Sequence, residues 1–255
     1  CLIELKENKE DLDAKRNIRF LLNQPDIIAS VRRIQETLDQ RILWYKKHSA
    51  ASKNSASIAA LFRIATHGRT PLRVGNFAVL TYVSSLTKAL AVSKDMPVIY
   101  FNEKDGCYAV YVPCRYLKNR KHSHIIDLHR SMPESLTDWI NYYVDSMGVK
   151  DGELFLRAPR GNNRSNLGSR FTDITKHVID ILWPEMHVER GINPHALRHL
   201  AATIYLNENP DNYVGLAALL HDSLATVLIV YAKMDYDSQG DSIMNFFDKA
   251  FGEAA

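Results

Sequence analysis

The segment Asn193-Pro194-His195-Ala196-Leu197-Arg198-His199 constrains this chain more than any other. Proline suits the first turn of a helix and asparagine the position just before it, so a helix is expected to start here. At about 100° per residue, His195, Arg198 and His199 share one face, while Leu197, Leu200, Ala201 and Ile204 take the other. The polar face therefore carries side chains that bind phosphate and move protons, where a solvated face carries Lys and Glu. His221 and Tyr231 follow at suggestive distances, and Arg73 and Lys118 precede.

At 255 residues the chain has room for one large domain or two small ones. It is 46% hydrophobic and 24% charged, as in ordinary globular proteins. No apolar run approaches membrane-spanning length and no signal peptide is visible, so no membrane partner is expected. Three cysteines (Cys1, Cys107, Cys114) fit a reducing compartment better than a disulfide framework. A cytoplasmic location follows as an expectation. The start at Cys1 is what a fragment or processed chain would show. Net charge is only +3, but its distribution says more. Arg115, Lys118, Arg120, Lys121 and Arg130 face Asp127 alone in one stretch, and Arg157, Arg160, Arg164, Arg170 and Lys176 face Asp173 in another. Basic loops on a near-neutral body suit contact with a DNA backbone, and equally suit solvated loops.

Residues 1–24 are charge-rich and read as a linker or loosely docked segment. Ile27, Val31, Ile34, Leu38 and Ile42 predict a helix over about 26–48. The small polar stretch Ser49–Ser57 is expected to break or cap it. A second helix runs to about Thr66 and ends at His67-Gly68. Arg73 closes a loop before the apolar run Phe77–Val83, read as a buried helix. Val98–Phe101, Cys107–Val112 and His124–Leu128 predict a three-stranded antiparallel sheet, with Lys118 and Lys121 on its last turn. Helices follow from Pro133 to Gly148, from about Leu167 to Pro184, from Pro194, from Val214 to Leu220 and from Leu224 to Met234. Ser242–Phe251 has Ile243, Phe246, Phe247 and Phe251 at helical spacing. Residues 236–255 thus read as a tail helix that docks on this chain or on a neighbouring protomer. The expected class is mainly α with a small sheet (α+β).

This order resembles the catalytic domain of tyrosine recombinases, the phage-integrase family, over about residues 25–235. The resemblance is carried by His195-Ala-Leu-Arg198-His199, by Leu219-Leu220-His221 with Ser223, Thr226 and Tyr231, by Thr70-Pro-Leu-Arg73-Val74, and by Lys118. Pro71 stands where the family usually has Gly, and Asn76 where it has an acidic residue. Leu220 stands where the family has the Gly before its second His. His221 to Tyr231 is one residue longer than the commonest interval.

Cutting a DNA backbone without metal requires charge stabilisation on the phosphate, a nucleophile and proton transfer. Preorganised donors on the phosphate oxygens lower such a barrier by about 2.7–4 kcal/mol each. Arg, whose planar fork bonds two oxygens at once, is the fitting residue, and Arg73 and Arg198 are the candidates. Tyr231 is the candidate nucleophile, although Leu224, Val227 and Leu228 on its side also fit a core tyrosine. The resemblance implies Lys118 as the acid for the 5′ oxygen, with Lys121 its rival. It also implies proton transfer by His195, a phosphate hydrogen bond from His221, and support from His199. Arg115, Arg120, Lys121, Arg160, Arg164 and Arg170 are candidate contacts to the DNA backbone.

The implied activity is site-specific DNA recombination through a 3′-phosphotyrosine, with no metal, ATP or other cofactor. Its partners would be double-stranded DNA and further copies of the chain in a synapse, and its location nucleoid-associated. A non-cutting DNA-binding descendant and a type IB topoisomerase-like enzyme are the alternatives. A metal hydrolase using His195 and His199 fits poorly, because Ala196 stands where a zinc protease has Glu.

Overall fold

A computed structural model describes residues 18–44, 50–117, 127–157 and 164–231. Residues 18–22 form a helical turn, with Ile18 and Leu21 buried in the core. Two long helices follow, α1 (Ile27–Trp44) and α2 (Ala50–Thr66). The serine-rich stretch expected to separate them is helical from Ala50. Ser52, Ser55 and Ser57 are buried, and α2 packs against α1. Gly68 ends α2, its N–H bonded to Arg63 O at 2.9 Å. A Cβ there would stand 2.5 Å from Ile64 O, so the turn admits only glycine without adjustment.

The sheet corrects the sequence expectation. Among the described residues it has four strands in the order β1 (Thr81–Val83), β2 (Val98–Asn102), β3 (Cys107–Val112), β4 (Leu128–Ser131). It is mixed: β1 runs parallel to β2, and the other two pairs are antiparallel. The run Phe77–Val83 is not one helix but the short helix α3 (Val74–Ala78) followed by β1. A short apolar run has no period to separate strand from helix, and all three β1 residues are buried. A parallel pair needs a crossover, which α4 (Leu86–Val92) supplies. The last described strand is Leu128–Ser131; of the expected His124–Leu128, residues 124–126 lie outside the described residues.

Alternation divides the strands between two cores. Ile99, Tyr108, Val110 and Val112 join the main core with the helices. Val83, Val98, Tyr100 and Ala109 pack with Ala89 of α4 on the other face.

The C-terminal half is helical. It comprises α5 (Thr137–Met147), α6 (Arg164–Leu182), α7 (Ala196–Glu208), α8 (Tyr213–Leu220) and α9 (Leu224–Tyr231). Gly148, at φ 58°, stops α5, and Pro184 follows α6. Helix α9 leaves α8 at 109°. Ala202, Leu216, Leu220, Val227 and Tyr231 form a small cluster of their own between α7, α8 and α9. No single helix among the described residues is long and apolar enough to cross a membrane. The tail helix expected over 236–255 lies outside the described residues, as do residues 1–17.

Candidate active site

The segment singled out above starts α7 as its residues dictate. Asn193 Oδ1 accepts the His195 N–H at 2.9 Å, and Asn193 O accepts from Ala196 N at 2.8 Å. The two faces of α7 are not divided between core and water, however. Ala196, Leu197, Arg198, His199 and Leu200 are all buried, so the polar face points into the protein. The loop before α3, the end of α8 and the start of α9 cover it, which sequence periodicity alone does not register.

A buried guanidinium is stable only if its donors are satisfied. Arg198, 6% exposed, donates through Nη1 to Pro71 O (2.7 Å), and through Nη2 to Leu220 O (2.9 Å) and Asp222 Oδ2 (3.2 Å). Burial, and secondarily the charge of Arg73, push its pKa down to about 10, while Tyr231 and Asp222 favour the charged form. Arg73 is fixed by its place just ahead of α3, where its carbonyl accepts from Asn76 N and Phe77 N. Its Nη2 reaches the same Asp222 Oδ2 at 2.8 Å. Two arginines far apart in the chain thus meet on one carboxylate oxygen. The other oxygen, Oδ1, accepts from Ser223 N–H at 3.1 Å.

A third arginine completes the pocket wall. Arg130, on β4, donates to Arg69 O (2.9 Å), Leu219 O (2.7 Å) and Ala218 O (2.7 Å), and burial lowers its pKa. Arg130 and Arg198 together satisfy the last carbonyls of α8, where the helix dipole is negative. The pocket lined by Pro71, Arg73, Arg130, Arg198, His221 and Asp222 carries three guanidinium charges against one carboxylate.

A row of rings runs alongside. His195 and His199 lie edge to face with centroids 5.1 Å apart, and His199 meets Tyr231 at 5.4 Å. Tyr231 is 5% exposed and belongs to the α7–α9 cluster. His221 lines the pocket in the left-handed region, φ 48°, at the end of α8. Nearby Asp127 has its pKa lowered chiefly by a hydrogen bond from Tyr111.

Of the expected site residues, Arg73, His195, Arg198, His199, His221 and Tyr231 are brought together by α7, the pocket and α9. Lys118, Arg120, Lys121 and Arg160 lie outside the described residues, and Arg164 is described only as the start of α6. Leu117, just before Lys118, lines the pocket. Arg115 is exposed, paired with Asp95 at 3.3 Å and lying over the Tyr116 ring. Arg170 ties α6 to α2 through Asn54 Oδ1 at 2.9 Å. Among the described residues no group of three or more His, Cys, Asp or Glu could hold a metal ion.

Sequence reasoning missed Asp222 and Arg130. Asp222 had one signal, an acid placed among candidate phosphate ligands, next to His221. Arg130 was counted only as part of a basic stretch, because nothing local shows that it reaches the end of a helix some ninety residues on.

No protein-family profile and no curated protein matches this sequence. Among solved structures the chain is similar to XerA recombinase, with 16% identity over 83% of this chain and 61% of that one, at a TM-score of 0.47. It is also similar to XerH site-specific recombinase bound to its difH substrate in a pre-cleavage complex, with 14% identity over 80% of this chain and 48% of that one, at a TM-score of 0.49. The post-cleavage complex of XerH on palindromic difH gives 13% identity, 83% and 51% coverage, and a TM-score of 0.49. This chain therefore spans less than two thirds of the length of each of these recombinases.

Proposed function

We propose that this protein cleaves and rejoins duplex DNA by transferring a phosphodiester to Tyr231, as a site-specific tyrosine recombinase. The observation that carries this reading is the convergence of Arg73 and Arg198 on a single anionic oxygen. A non-bridging phosphate oxygen in that position would take two charge-assisted hydrogen bonds from fixed donors. In the proposed step the Tyr231 phenolic oxygen bonds to phosphorus and the bond from phosphorus to the 5′ oxygen breaks. The phenolic proton passes to a base, for which His195 is the candidate. The departing oxygen takes a proton from Lys118 or Lys121. The phosphotyrosine conserves the bond energy, so a free 5′-hydroxyl can reverse the step without ATP. Exchange between two duplexes would call for more than one copy of the chain on DNA.

The test is covalent capture. The protein is mixed with fragmented duplex DNA and a chelator and then denatured, and protein-linked DNA is recovered. An adduct is expected with the native chain and none with Tyr231→Phe. An adduct that persists in Tyr231→Phe would remove Tyr231 as the nucleophile. A second reading, a phosphodiester-binding protein that does not cut, is favoured by the burial of Tyr231. DNA binding without any adduct would establish it.

A further inference from the structure

The carboxylate of Asp222 stands where the reading above puts a phosphate oxygen. We propose that Asp222 is a resident counter-ion that aligns Arg73 and Arg198 in the free protein and competes with phosphate for them. The proposal rests on the reading of those arginines as a phosphate clamp, and it gives that clamp a gate.

Geometry supports it first. One oxygen, Oδ2, accepts from both guanidiniums, at 2.8 and 3.2 Å. The Asp222 and Arg198 side chains are each 7% exposed, whereas that of Arg73 is 27% exposed. An incoming anion therefore meets Arg73 first. When Oδ2 gives way, Arg198 keeps the carbonyls of Pro71 and Leu220, so its buried charge stays partnered. A phosphate and an ionised carboxylate cannot share the site without like-charge repulsion, so phosphate binding must overcome Asp222.

The backbone holds Asp222 in place: His221 turns through the left-handed region directly after α8, and the Ser223 N–H donates to the other Asp222 oxygen, Oδ1, at 3.1 Å.

The test compares binding of inorganic phosphate, by calorimetry at fixed pH and ionic strength, between the native chain and Asp222→Asn. About tenfold tighter binding is expected in Asp222→Asn, and the gain should vanish when Arg73→Ala is added. Phosphate binding that is unchanged or weaker in an Asp222→Asn protein that still melts cooperatively would overturn the proposal and leave Asp222 a structural ion pair. If Asp222→Asn does not fold, Asp222→Ser, which keeps an oxygen acceptor ahead of α9, gives the same comparison with the same two outcomes. Covalent capture separates this from the reading it rests on. Tighter phosphate binding in Asp222→Asn with no Tyr231 adduct in either protein upholds the counter-ion and removes cleavage. A native adduct without tighter phosphate binding removes the counter-ion alone.

Discussion

At the scale of single residues, the site is shaped by groups in costly states held by their neighbours. His221 is one. A non-glycine residue in the left-handed region costs about 1–2 kcal/mol, and part of the relief that glycine brings is offset by its freedom in the unfolded chain, about 0.5–1 kcal/mol. His221→Gly is therefore expected to stabilise the fold by about 0.5–1 kcal/mol, read from urea unfolding with an unchanged slope. No gain would mean that contacts of the imidazole offset the backbone cost. Arg198 is the other. Its depressed pKa records a charge taken out of water beside a second guanidinium, and two carbonyls and a carboxylate return enough to keep it there. A residue so tied is part of the scaffold as well as of the pocket wall.

At the scale of elements, the end of α2 shows burial overruling a helix dipole. His67 follows its last turn, where the negative end of the helix would favour a cation. Yet its pKa is lowered, first by burial and then by the charges of Arg63 and Arg32, with Asp39 opposing. The unfolded chain therefore takes up a proton near the ordinary value of 6.5 before the folded chain does, and stability is lost as pH falls through the folded value. Urea midpoints at about pH 7.5 and about pH 5.5 are expected to differ more in the native chain than in His67→Gln. An equal difference would remove His67 as a source of acid sensitivity. How far each element was legible follows similar competitions. α5 and α6 show an apolar stripe at helical spacing with Gly148 and Pro184 as stops, and both are found. Strand β1 was hidden because it is buried on both faces and too short to show a period. The first turns of α2 were hidden because buried serines read as a break. Arg73 and Arg198 could be paired from motifs around them. Their shared partner Asp222 and the brace Arg130 depend on how β4, α8 and α9 pack, which no local pattern encodes.

At the scale of the whole molecule, two bodies of unequal strength meet at the pocket. The main core joins α1, α2, α5, α6 and one face of the sheet, whereas α8 and α9 rest on α7 through a cluster of five buried residues. A small cluster opens more readily than a large core, so α8 and α9 belong at the low-stability end of this fold. What fastens them is polar: Arg130 on Ala218 and Leu219 carbonyls, Arg198 on the Leu220 carbonyl, and both Arg73 and Arg198 on Asp222. Removing one such brace should loosen α8 and α9 without touching the sheet. Arg130→Ala deletes charge-assisted bonds worth about 2 kcal/mol net, which corresponds to roughly thirtyfold faster hydrogen exchange. That acceleration is expected for amides of Leu216–Leu220 and Val227–Tyr231, with those of β2 and β3 unchanged. Uniform acceleration in both regions would instead show that the protein opens as a single unit. The same fastenings reach α9, which begins two residues after Asp222 and ends at Tyr231.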